Sequence, residues 1–121
     1  MLERTKKFSI DGKSFTANFP NIGQIIDMES LKQALTGNRY GAMASSGITS
    51  AYEALDIVDT IAFLQICVPE VSRHYDIRNY ADLPADKMNK FLEAYRKEIR
   101  PWYENVMKEL KNITTPENES K

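Results

Sequence analysis

The 121-residue chain has one cysteine, Cys67, and one histidine, His74. A lone thiol cannot close an internal disulfide or build a zinc site from several thiolates, and it fits a reducing compartment. Excess charge is also missing: 16 Lys and Arg stand against 17 Asp and Glu, a net of -1. A nucleic-acid surface needs a clustered surplus of Lys and Arg. No apolar run is long enough to cross a bilayer, because the longest, at 57–68, is interrupted by Asp59, Thr60 and Gln65. The opening Met1-Leu2-Glu3-Arg4-Thr5-Lys6-Lys7 lacks the apolar stretch of a signal peptide, so the expected location is the cytoplasm. Gly37, Gly41 and Gly47 have no Gly-Lys-Ser/Thr ending after them and form no phosphate loop.

Enough apolar matter remains for a core, with 42% hydrophobic and 27% charged residues, and the length suits one domain. The first element reads as a β-hairpin over 6–19. Lys6 to Ile10 and Lys13 to Phe19 alternate polar and apolar residues around Asp11-Gly12, a favoured pair for a type I′ turn. That turn sets Phe8 opposite Phe15 and Ile10 opposite Lys13. Phe8, Ile10, Phe15, Ala17 and Phe19 then share one face. A hairpin alone is marginal in water, so this face must be covered.

Three helices follow. The first spans about 21–36, with Asn21 as N-cap, Ile22, Ile25, Met28, Leu31 and Leu35 as its stripe, and Gly37 as its stop. Residues 37–48 read as a loop. The second helix, 50–68, opens on a Ser50–Glu53 capping box and carries Ala51, Leu55, Val58, Ala62 and Ile66, joined by Ile57, Ile61 and Leu64. Asp56, Asp59 and Thr60 form its polar edge, and Pro69 limits it. Residues 71–82 fit either a short helical turn or an irregular crossing. The third helix, 84–111, starts after Asp82-Leu83 with Pro84 in its first turn. Met88, Leu92, Tyr95, Ile99, Trp102, Val106 and Leu110 keep phase through Pro101, which predicts one helix with a kink there. Residues 112–121 read as a flexible polar tail. The fold class is therefore α+β, mostly helical: an N-terminal hairpin packed on three main helices, with 1–111 as a single domain.

Candidate chemistry is sparse. His74 beside Asp76 could be half of an acid–base pair, but a loop histidine at the surface explains it as well. Cys67 follows buried aliphatics and reads as a core residue rather than a nucleophile. Asp56 and Asp59 share a helix face, where paired carboxylates can hold a cation with help from Asp27 and Glu29. The plainer reading is a solvated edge, or an ion pair to an arginine such as Arg39. Lys6, Lys7, Arg96 and Arg100 are the residues a nucleic-acid binder would use. Tyr95, Trp102 and Tyr103 lie among basic residues but fall on the apolar stripe, which favours core or interface packing.

The segment Phe8-Ser9-Ile10-Asp11-Gly12-Lys13-Ser14-Phe15 followed by helices resembles the small tail assembly chaperones of tailed bacteriophages. Phe19-Pro20-Asn21-Ile22-Gly23-Gln24 and Ala54-Leu55-Asp56-Ile57-Val58-Asp59 look like products of phage structural genes. The resemblance implies a protein that binds the hydrophobic tape-measure protein and keeps it soluble during tail assembly. It implies no catalytic residues. The expected function is thus non-catalytic protein binding, with a tape-measure-like or other virion protein as partner. A structural virion or head–tail connector component, a small metal-dependent enzyme using Asp56, Asp59 and His74, and a nucleic-acid binder are the alternatives. Tyr40, Tyr95, Trp102 and Tyr103 are the candidate contact residues. No catalytic residue, metal or cofactor is expected, nor a membrane or nucleic-acid partner, while self-association stays open.

Overall fold

A computed structural model describes residues 3–114. Strands β1 (Thr5–Ile10) and β2 (Lys13–Asn18) pair antiparallel in the expected register, with Phe8 opposite Phe15 and Ile10 opposite Lys13. Asp11 (φ 51°) and Gly12 (φ 78°) both take the left-handed conformation that a type I′ turn requires. Phe8, Ile10, Phe15 and Ala17 are buried, and the rings of Phe8 and Phe15 stack at 5.8 Å.

Helix α1 (Ile22–Thr36) opens on a reciprocal cap. The Gln24 N–H donates to Asn21 Oδ1 at 2.8 Å, and the Asn21 N–H donates to Gln24 Oε1 at 2.9 Å. Gly37 closes the helix in the left-handed region at φ 60°. Its apolar stripe is thinly covered: among its apolar side chains only Met28 is buried, and Ile22 is 79% exposed. The following stretch is not all loop, since Tyr40–Ala44 forms a short helix, α2.

Helix α3 (Thr49–Cys67) starts two residues earlier than its capping-box pattern predicts. Ile48 holds the cap position, and its N–H is taken by Ser46 Oγ. Ser50 already lies inside the helix, so the Ser50–Glu53 box does not form. Thr60 does not belong to the polar edge either. It is buried, and its hydroxyl donates to the Asp56 carbonyl at 2.7 Å, which satisfies it without water.

The stretch after Pro69 holds a helical turn, α4 (Pro69–His74). Two 3₁₀ turns follow, Tyr80–Asp82, capped by the Asn79 side chain, and Ala85–Lys87. Pro84 therefore opens a 3₁₀ turn, and helix α5 begins only at Asn89 and runs to Ala94. A wide π turn at Tyr95–Ile99 joins it to α6 (Arg100–Thr114). In that turn the Arg100 N–H reaches back five residues to the Tyr95 carbonyl. The deformation thus precedes Pro101, whose ring would crowd the carbonyl four residues back in a regular helix. Helix α6 reaches Thr114; residues 115–121 of the expected tail lie outside the described residues.

α1 lies along α3, with Met28 Sδ 3.6 Å from Cys67 Sγ near the end of α3. The hairpin's apolar face, α3, α5 and α6 enclose one core. Phe63 sits fully buried at its centre, ringed by Tyr103 at 5.9 Å, Tyr95 at 6.0 Å and Trp102 at 6.3 Å. Among the described residues no helix is long and apolar enough to cross a membrane.

Candidate functional site

The four aromatic residues expected to meet a partner are covered to different degrees. Trp102 and Tyr95 are core residues, 7% and 6% exposed. Trp102 is held from three sides: Phe63, Phe19 at 5.9 Å, and its own Nε1–H donating to the Glu3 carbonyl at 2.8 Å. Trp102 thus fills its stripe position against this chain's own Phe19 and Phe63, and Tyr95 packs against Phe63 with Arg100 over its ring. Tyr103 is half-buried, stacked on Phe19 at 5.1 Å, beside a shallow depression lined by Met107 and Lys111. Tyr40 is half-buried against α3, its hydroxyl donating to Asp59 Oδ1 at 2.6 Å beneath the Lys32 ammonium. Burial and that carboxylate raise the Tyr40 phenol well above its ordinary range.

The acids and bases are occupied with one another. Asp56 accepts from Arg100 at 2.7 Å and from Arg96 at 3.0 Å, so its partners come from the last helix and not from Arg39. Arg39 instead donates through Nε to the Thr36 carbonyl at the end of α1. Asp59 serves Tyr40 and lies 3.6 Å from Lys32. Asp56 and Asp59 are thus engaged within the chain, and among the described residues no three His, Cys, Asp or Glu are grouped so that they could hold a metal ion. Arg96 and Arg100 are likewise committed, which leaves Lys6 and Lys7 as the remainder of the proposed basic set. His74 packs edge-on against Tyr75 at 4.7 Å and Phe15 at 5.9 Å, so its neighbours are rings rather than Asp76. Burial pushes the Cys67 thiol up to about 11, and a thiol held protonated is a poor nucleophile.

One concave feature stands apart from these pairs. A groove of about 460 Å³ runs between α3 and the segment 80–96. Glu53, Ile57 and Ile61, four residues apart on α3, form one wall. Tyr80, Leu83, Met88 and Leu92 form the other, and Arg96 closes the rim. Ile57 is 37% exposed at its lip. The Tyr80 hydroxyl is sealed behind the wall with no hydrogen-bond partner, its ring edge-on to Phe91 at 5.7 Å.

The chain matches no protein-family model, no curated protein and no solved structure. Its own side chains therefore carry the functional reading. The groove is mostly apolar inside, with Asn89 in its lining, and is charged at Glu53 and Arg96. Ile57 and Ile61 are visible on α3 as apolar positions four apart. On the opposite wall Met88 and Leu92 stand on the apolar stripe of the expected third helix, whereas Tyr80 and Leu83 are hidden because 79–83 has neither a helical nor a strand period; the 3₁₀ turns place them there.

Proposed function

We propose that the protein is a non-catalytic binding module whose groove between α3 and residues 80–96 covers an apolar segment of another polypeptide. The observation that carries this reading is the groove itself: mostly apolar walls, with Ile57 at the lip and one charge of each sign at the rim. A concavity of this kind suits the apolar stripe of an amphipathic helix, which inserts side chains three and four apart. The engagement of Asp56, Asp59 and Cys67 in internal contacts favours binding over catalysis.

In its specific form, the segment belongs to the tape-measure protein of a tailed phage, and the module keeps that long apolar helix soluble until the tail assembles. The resemblance of the hairpin segment to tail assembly chaperones supports this form, and the work is done in the cytoplasm of the host. The relevant residues are then Ile57, Leu83 and Leu92, with Tyr103 and Tyr40 outside the contact.

Co-expression tests it. A tape-measure fragment that precipitates alone should remain in the supernatant with the wild-type chain. Ile57→Asp places a charge in the groove at an already half-open position. It should leave the thermal unfolding curve nearly unchanged yet weaken the complex by about tenfold or more, on the order of 1.4 kcal/mol. A folded Ile57→Asp that protects the fragment as well as wild type sinks the groove reading.

A further inference from the structure

The two edges of the hairpin are treated differently. β1 is covered: α5 and the wide turn lie along it, and the Ser9 N–H faces Glu98 Oε2 at 3.5 Å. Among the described residues, β2 packs along no element but β1, and beside it lies a cleft of about 390 Å³ toward Glu70 and His74 of α4, lined on the strand side by Lys13 to Thr16.

The phase of the ladder fixes which groups point into that space. The Phe19 N–H donates to the Arg4 carbonyl at 2.7 Å. Bonded pairs alternate in an antiparallel ladder, so 6 with 17, 8 with 15 and 10 with 13 are the bonded pairs. Ser14, Thr16 and Asn18 therefore turn their N–H and C=O groups outward, and all three are exposed. Natural edges are normally blunted by proline, a bulge, charge or a covering element. Between Ser14 and Asn18 there is no proline or charge, and the register runs without a bulge.

We propose that β2 is a self-association edge: two copies of this chain join β2 to β2 antiparallel about a two-fold axis at Thr16, making a continuous four-stranded sheet. In this register Thr16 lies opposite Thr16 of the second copy and Ser14 opposite Asn18, so every outward backbone group of the three residues is paired. Centring the axis on 15 or 17 leaves one of the three unpaired on each copy. Charge is compatible too. Lys13 falls opposite Phe19 of the other copy, so the two lysines sit at opposite ends of the seam. The cleft beside Lys13–Thr16 in one copy receives the Thr16–Phe19 end of the other, which keeps the two α4 helices apart. The groove near Ile57 takes no part in this contact.

Charge exchange at the axis tests the proposal. The wild-type chain should sediment as a dimer whose dissociation is seen on dilution. Thr16→Lys and Thr16→Glu, each self-opposed, should each weaken dimerisation by about tenfold or more, and an equimolar mixture of the two should restore it. Thr16 is exposed, so circular dichroism should show both variants folded as wild type. Thr16→Pro, whose missing N–H belongs to the open edge and not to the hairpin, should also be monomeric. A wild-type chain that stays monomeric at the highest concentration reached overturns the proposal, as does a Thr16→Lys chain that dimerises like wild type. Ile57→Asp should leave the dimer intact, so failure here and failure of the groove reading are separable.

Discussion

The two halves of α3 share one helix and meet very different surroundings. From Val58 to Leu64 nearly every side chain is buried, and Phe63 is enclosed by rings from the π turn and from the last helix. From Thr49 to Glu53 the same helix lies open beside α2, with Tyr52 43% exposed. The difference lies in the neighbours. The hairpin, α5 and α6 converge on one half, whereas the five-residue α2 has no buried residue to offer the other. Stability in this molecule is therefore concentrated where β1, β2 and the last helix meet.

The strongest way to break the comparison is at Phe63. Phe63→Ala should cost about 3–5 kcal/mol in urea unfolding, from lost transfer energy and an unfilled cavity. Tyr52→Ala in the open half should cost less than about 1 kcal/mol. Equal losses at the two sites would remove the claim of an uneven core.

Asp56 ties the open half to the last helix. Asp56→Ala frees Arg96 and Arg100 and leaves Arg100 half-buried without its carboxylate. A loss of about 1–2 kcal/mol is expected, less than for a fully buried pair because all three groups keep some solvent. Added salt should narrow the gap between variant and wild type.

Two tyrosines sharpen the contrast with opposite signs. Tyr40→Phe removes the bond to Asp59 and should destabilise by about 1 kcal/mol. Tyr80→Phe removes a buried hydroxyl that has no partner. It should be neutral or stabilising by about 1 kcal/mol. A clear loss at Tyr80 would mean that its hydroxyl is satisfied by water.

Alkaline pH acts on the buried thiol and phenols. Burial lifts Cys67 from its ordinary 9.0 to about 11, and raises Tyr80 and Tyr95 above their ordinary 10.0. The unfolded chain loses these protons first, so between the ordinary and folded values it binds fewer protons than the native state. Stability should be level below about pH 8 and fall as pH rises beyond about 9. Denaturation midpoints that stay constant to about pH 11 would contradict this.

What the sequence made legible was local. Asp11-Gly12 with alternating neighbours determines the hairpin and its register, and Asn21 and Gly37 bound α1 through their own side chain and backbone. Burial was legible only where the stripe and the neighbours agree. Trp102 sits on a stripe that serves a partner or a core equally well, and the Glu3 carbonyl that takes its indole N–H is far away in the chain. Phe63 falls off the stripe read from Ala51 to Ile66, because a stripe describes a helix covered on one side and this half is covered all round. The groove needs Tyr80 and Leu83 to turn back toward Ile57, which no period in 79–83 announces.

The wide turn at Tyr95–Ile99 amounts to a spare residue stored inside a helix. Tyr95 and Ile99 face inward while Arg96 and Lys97 face solvent, so the surplus is carried on the wet side. Removing Lys97 in a Pro101→Ala background lets the turn contract to regular α geometry with Phe91 and Trp102 still able to reach the interior. A chain shortened at that point can thus keep both flanks of the helix seated, whereas a shortening between Trp102 and Val106 would swing everything after it off the core.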